Sequence, residues 1–122
     1  MRYQFFLVLV LILSGCEAKK PTTVSGQPID YWRQALKGKD VTLRLKAVDA
    51  LGNVGPADPV AIPSLIDALE DSDARVRGQA ALALLKSGRD AQDAIPALTR
   101  AQHDKDAKVR RYAAKALEQI QN

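Results

Sequence analysis

The chain has 122 residues with a formal net charge of +4, and only 5% of its residues are aromatic. This length suggests at most one compact domain, and the shortage of aromatic residues excludes a core built from large rings. A single cysteine excludes an internal disulfide, and a single histidine leaves little for a metal site.

The first sixteen residues have the pattern of an export signal. Arg2 is followed by nine consecutive apolar residues, 5–13, and then by Ser14, Gly15 and Cys16. A positive start, a short apolar stretch and small residues at its end are typical of a secretory signal peptide. Nine helical residues extend only about 14 Å, half of a hydrocarbon core of about 30 Å. The pattern therefore predicts a signal peptide over residues 1–15 rather than a membrane span.

The end of this signal resembles the lipobox of bacterial lipoproteins, in the order Leu13, Ser14, Gly15, Cys16. The resemblance implies cleavage after Gly15 and a diacylglycerol on the Cys16 thiol, with two or three acyl chains giving stable anchoring. An ordinary signal peptide with a chance or buried cysteine is the alternative. We expect a lipid-anchored protein of the bacterial cell envelope. Glu17 favours the outer membrane over the inner one where the source has two.

A tether is predicted between this cysteine and the rest of the chain, over residues 16–27. Residues 18–27 are polar, contain Pro, Gly, Ser and Thr, and show neither a helical nor a strand period. Such composition is typical of a flexible spacer.

The remaining chain, 28–122, repeats itself at a spacing of 33 residues. The tripeptide Ala61-Ile62-Pro63 recurs as Ala94-Ile95-Pro96, and a weaker copy precedes both. Three copies at one spacing predict a repeat protein. The units cover about 28–55, 61–88 and 94–121, and are called units 1, 2 and 3.

Each unit reads as two helices joined by a tight turn. In unit 2, apolar residues at spacings of three and four predict the first helix, with Pro63 in its first turn. Residues 71–73 are suited to cap a second helix, which Gly88 ends before a loop. Trp32, in unit 1, is predicted to close the N-terminal end of the stack, although stacking on a ligand is the alternative.

The repeated sequence P-x-L-I-x-A-L-x-D-x-D-x-x-V-R-x-x-A-A-x-A-L resembles the short bacterial HEAT-like repeat, which also occurs in phycobilin-lyase-related proteins. The resemblance implies an all-α, right-handed α-solenoid with first helices outside and second helices lining a concave side. The spacing is below the usual HEAT length of about 40–47 residues, and Asp30 replaces the proline in unit 1. Ankyrin and tetratricopeptide repeats are disfavoured because their T-P-L-H and W-x-x-L-G motifs are absent.

Two columns of opposite charge recur in every unit. We predict that they form a structural ladder between units, which is the usual role of this arginine in HEAT-like stacks, rather than a ligand site. The ladder residues are Asp40, Arg44, Asp73, Arg77, Asp106 and Arg110.

A second polar set does not repeat, and much of it falls on exposed positions of the second helices. With the modest positive charge, it suggests a basic concave strip for an acidic peptide or another protein, although a plain solvated face remains open. We expect no nucleic acid partner. The candidate partner-binding residues are Arg75, Gln79, Lys108, Arg111, Tyr112 and Lys115.

No residue pattern predicts catalysis, a cofactor or a metal ion. His103 lies in a polar turn, and the acidic cluster at residues 70–73 fits helix capping better than a calcium loop. The leading hypothesis is a non-enzymatic, lipid-anchored protein-binding scaffold. An accessory or lyase-like enzyme related to the phycobilin lyases is the alternative, and a subunit that completes its stack against another repeat protein is a third possibility.

Overall fold

The structure, a computed structural model, describes residues 22–122. These residues begin with a short hairpin and continue as three consecutive pairs of helices, which confirms the all-α repeat prediction. The predictions for Gly15 and Cys16 lie outside the described residues. The helices are α1 Ile29–Ala35, α2 Val41–Val54, α3 Ala61–Ala68, α4 Ala74–Ser87, α5 Ile95–Ala101 and α6 Ala107–Gln121.

The second helix of every unit begins at an aspartate. In each case the carboxylate accepts the backbone N–H two residues further on, at 2.8–2.9 Å. These contacts satisfy N–H groups that the first turn of a helix leaves free, and such a cap is worth about 1 kcal/mol. The three N-cap residues are Asp40, Asp73 and Asp106.

The units are joined by 3-10 turns, where the sequence predicted a loop. Gly55 and Gly88 end α2 and α4 with φ values of 50° and 55°, which favour glycine. The turns that follow are Gly55–Ala57 and Gly88–Ala94. Ala91 and Ala94 are fully buried, so the second turn is part of the core.

The core is a thin layer of leucine, valine and alanine between and within the units. Its largest fully buried side chains are Leu51, Leu65, Leu84, Leu98, Val48, Val76 and Val109. The second helices contact one another more extensively than the first helices do. A Cβ atom on Gly52 of α2 would lie 3.0 Å from the Ala83 Cβ of α4, so this close approach requires glycine.

The hairpin corrects the prediction of a flexible tether for residues 23–27. Strand β1, Thr23–Val24, pairs antiparallel with β2, Gln27–Pro28, and both turn residues between them have positive φ. The indole Nε1 of Trp32 donates to the Val24 carbonyl oxygen at 2.9 Å, and only 8% of this tryptophan is exposed. Strands of two residues are too short to show a sequence period, and a tertiary contact with α1 holds them in place.

Candidate functional site

A groove of about 410 Å³ lies on the second-helix side between α4 and α6. It brings together four of the six predicted partner-binding residues: Arg75, Gln79, Lys108 and Tyr112. The other lining residues are Leu45, Ala74, Gly78, Asp106 and Ala107. The groove therefore combines polar groups with a small apolar surface.

The depth of this groove depends on glycine at position 78. Gly78 is buried, and a Cβ placed on it would lie 3.8 Å from the Cγ2 of Val109 and 4.0 Å from the Cδ2 of Tyr112. Because no side chain occupies that space, the half-buried Tyr112 ring remains accessible as one wall. The opening is suited to one or two side chains of a ligand.

The rim is less basic than the sequence predicted. Arg75, whose side chain is 70% exposed, donates from Nε and Nη2 to the two carboxylate oxygens of Asp73 at 3.0 and 2.8 Å. The hydrogen bond from this guanidinium lowers the pKa of Asp73 to about 2, so both groups stay charged and offset each other. Asp106 adds a second carboxylate beside Lys108, so the rim is mildly basic.

Gln79 has a contact that sequence reasoning missed. Its Nε2 donates to the Oδ1 of Asp49 at 2.6 Å, across the junction between units 1 and 2. The amide is thereby fixed along one edge of the groove, while the glutamine residue itself is half-buried.

Arg111 and Lys115 are exposed but do not line the groove. The Cζ of Arg111 lies 5.5 Å from the centroid of the Tyr112 ring, within the range of a cation–π contact. Arg111 takes the repeat position of Gly78, which faces the following unit. The predicted strip is therefore divided between the groove and the C-terminal end of the stack.

The charge ladder exists, but its predicted carboxylates are wrong. Arg44 donates to Asp71 from Nε at 3.0 Å and from Nη2 at 3.3 Å. Arg77 donates to Asp104 in the same way at 2.8 and 3.1 Å. The predicted partners Asp73 and Asp106 instead cap their own helices.

Both ion pairs are nearly buried. The side chains of Arg44 and Asp71 are each 10% exposed, and those of Arg77 and Asp104 are 9% and 12% exposed. The hydrogen bond from Arg77 lowers the pKa of Asp104, and the same bond raises the pKa of Arg77. A planar guanidinium that meets both carboxylate oxygens in a low-dielectric site forms a strong and directional contact.

The two pairs are linked into one series along the stack. Nη1 of Arg44 donates to the Gly38 carbonyl at 2.9 Å, and Nη1 of Arg77 donates to the Asp71 carbonyl at 2.9 Å. Each turn between helices thus receives one arginine from the preceding unit and holds the next arginine through its backbone. The aspartate position itself repeats at 33 residues, which was the available sequence signal.

Arg110 is the third member of the arginine column, and its surroundings differ. Its Nη1 donates to the carbonyls of Asp104 and Lys105 at 2.8 and 3.1 Å. Among residues 22–122, no carboxylate forms an ion pair with it, and it is exposed.

No group of three or more histidine, cysteine, aspartate or glutamate side chains suited to a metal ion occurs in residues 22–122. No helix in the same part of the chain has the length and apolar character needed to cross a bilayer.

The family is decided by a profile of HEAT repeats, which matches residues 29–118. The chain belongs to the HEAT repeat family. This HEAT repeat chain is similar to a chain in the complex of CpcE and CpcF of phycocyanin lyase from Nostoc sp. PCC7120. The identity is 28% and the TM-score 0.69, over 88% of this chain and 41% of that one.

Two engineered proteins share the HEAT repeat fold. One is 24% identical with a TM-score of 0.59, over 76% of this chain and 45% of its own. The other is 23% identical with a TM-score of 0.58, over 77% and 27%. The chain spans less than half the length of each of these three structures. No curated protein matches it in sequence.

Proposed function

We propose that this HEAT repeat chain is a lipid-anchored scaffold of the bacterial cell envelope that binds a partner protein and has no catalytic activity of its own. Stacked helical repeats commonly provide extended surfaces for binding other proteins. The family membership and the likeness to a subunit of a two-protein complex support a role in protein binding.

The observation that carries the proposal is the groove between α4 and α6. Its volume of about 410 Å³ is within the usual range for ligand sites, about 300–1,000 Å³. Lys108 and Arg75 stand at its rim, and Tyr112 offers an accessible ring between them. We therefore assign to it an acidic segment of the partner, with an apolar side chain against Tyr112 and carboxylates near the two cations.

A labelled acidic peptide tests this assignment. We expect the purified chain to bind a fluorescein-labelled decapeptide of alternating glutamate and leucine. Reversing both rim cations, Arg75→Glu with Lys108→Glu, should weaken binding by about tenfold or more, equivalent to about 1.4 kcal/mol. Fluorescence anisotropy measures the dissociation constants at fixed ionic strength, because exposed charges are screened by salt.

The matched control reverses two cations on the first-helix side, Lys37→Glu with Arg100→Glu, and so has the same net charge. Circular dichroism establishes that both double variants are folded. Equal weakening by the two variants, or equal binding of a lysine–leucine decapeptide, would contradict a specific site in the groove.

The lipid anchor is the second part of the proposal and rests on the lipobox-like residues that end at Cys16. The full chain is expressed in a bacterial host and fractionated. We expect Cys16→Ala to lower the ratio of membrane-bound to soluble chain by about tenfold or more, because the acyl chains supply the membrane affinity.

Mass spectrometry of the mature N-terminus separates this anchor from simple retention of an uncleaved signal. A chain that begins at Cys16 and carries the mass of diacylglycerol is the expected product. An unmodified Cys16 thiol in the membrane fraction would contradict the anchor.

A second candidate function is an accessory role in tetrapyrrole attachment, which the 28% identity to a phycocyanin lyase chain favours. The described residues 22–122 contain no cysteine, and their one histidine lies exposed in a turn. An absorption shift of a tetrapyrrole on addition of the purified chain would favour this candidate over the scaffold.

A further inference from the structure

The turns between helices hold three arginines in the same way. Nη1 of Arg44, Arg77 and Arg110 donates to backbone carbonyls of the arginine's own turn, at 2.8–2.9 Å for the shortest contact of each. This contact orients the guanidinium plane. In the first two arginines, Nε and Nη2 then point to the carboxylate of the following unit.

Arg110 therefore has a carboxylate-binding edge that is oriented but empty of any carboxylate from residues 22–122. Its two carbonyl contacts match those of Arg77, at 2.8 and 3.1 Å against 2.9 and 3.2 Å. Holding the guanidinium in advance reduces the side-chain entropy that a new ion pair would cost. Two examples within the same molecule show which group occupies this edge.

The surface around Arg110 differs from a continuing stack. In unit 2, the residues that face unit 3 are small or apolar: Leu69, Gly78, Ala81 and Leu85. The same repeat positions in unit 3 are Gln102, Arg111, Ala114 and Glu118, and all but the half-buried Gln102 are exposed. A partner at this end is therefore held by polar and charged contacts and not by further apolar packing.

We propose that the C-terminal end of the stack docks an acidic turn of a partner protein, with one aspartate or glutamate side chain bound bidentately to Arg110 and Arg111 adding positive charge beside it. This site is separate from the groove, because neither arginine lines it. A carboxylate is favoured over other anions because its two oxygens fit the guanidinium edge, as they do at Asp71 and Asp104.

A second copy of this chain, added head to tail, does not supply that carboxylate. In unit 1, the position equivalent to Asp71 and Asp104 is Gly38. The N-terminal unit is also covered by the hairpin, which Trp32 holds through its indole N–H. The N-terminal end of one copy is therefore not a match for the C-terminal end of another.

The test follows the arginine Nε–H resonances of the whole chain by NMR while N-acetyl-aspartate amide is added at constant ionic strength. We expect a saturable shift at Arg110, with a dissociation constant at least about fivefold lower than at the exposed Arg100, because only Arg110 is oriented for bidentate binding. N-acetyl-asparagine amide should produce no such shift. Arg110→Lys should remove the site while leaving the fold intact by circular dichroism.

Three outcomes would overturn the proposal. Equal responses of Arg110 and Arg100 would mean that the edge has no special affinity. A response of Arg110 to vesicles containing phosphatidylglycerol, with none to the capped aspartate, would assign it to a membrane surface. Concentration-dependent dimerisation in sedimentation, lost in Arg110→Gln, would make the occupant a second copy. None of these results depends on the groove, so the proposed function is tested separately.

Discussion

Replacing Leu84 by alanine is expected to lower the free energy of unfolding of the repeat domain by about 3 kcal/mol. Leu84 is fully buried in α4, which belongs to the middle unit and contacts both neighbouring second helices. Truncating a buried leucine removes apolar contacts and leaves a cavity, at a cost of about 2–5 kcal/mol. Equilibrium unfolding in urea, followed by circular dichroism, measures the loss.

The neighbouring Leu85 provides a matched control, since it is only half-buried. Leu85→Ala makes the same chemical change and should cost about 1 kcal/mol, in proportion to the smaller area removed from water. A loss at Leu85 equal to or larger than that at Leu84 would contradict the placement of the core.

Replacing Asp104 by asparagine should have an effect of similar size, about 3 kcal/mol at neutral pH. The substitution keeps the shape of the side chain but leaves the nearly buried Arg77 guanidinium without its counter-charge. Removing one partner of a buried pair costs about 3–5 kcal/mol, because the remaining charge is desolvated and unpaired. Urea unfolding of Asp104→Asn, compared with the exposed Asp90→Asn, measures the difference with the net charge change matched.

The pH dependence gives an independent readout of the same ion pair. Arg77 lowers the pKa of Asp104 in the folded chain below its ordinary value, so the unfolded chain binds the proton more readily. The stabilisation is therefore complete above the unfolded pKa of about 4 and is lost as the pH falls through the folded pKa. We expect the stability of Asp104→Asn to fall less than that of the parent chain between pH 5 and pH 2. Parallel pH profiles would show that the pair contributes nothing.

The fold could be predicted from the sequence because each helix pair repeats the same buried and exposed positions every 33 residues. A spacing that holds for Pro63 and Pro96, and again for Gly55 and Gly88, leaves few other architectures. The hairpin could not be predicted, because strands of two residues carry no period. It depends on the contact between Trp32 and Val24, which only the tertiary structure reveals.

The error in the ladder has a physical origin. Every second helix needs an N-cap, so Asp40, Asp73 and Asp106 appear in all three units and form the more obvious column. A carboxylate between units is needed only where a unit precedes, so Asp71 and Asp104 appear twice. The weaker repeat was the one that carried the contact between units.

The groove was only partly predictable for a related reason. Helical spacing placed Lys108 and Tyr112 on one face, and the structure brings Arg75 and Gln79 to the same groove. The pairing of Arg75 with Asp73 spans two residues across a helix start, where helical face arguments do not apply. The net charge of the rim was consequently overstated.

The linked series of arginines and aspartate turns has a mechanical consequence for the whole stack. Each turn is gripped from one side by a guanidinium and positions the next guanidinium on the other, from Gly38 to Arg110. A displacement of any one turn therefore disturbs the junctions on both sides of it, and hydrogen bonds in such chains reinforce one another. The three units consequently melt together as one block instead of peeling away singly.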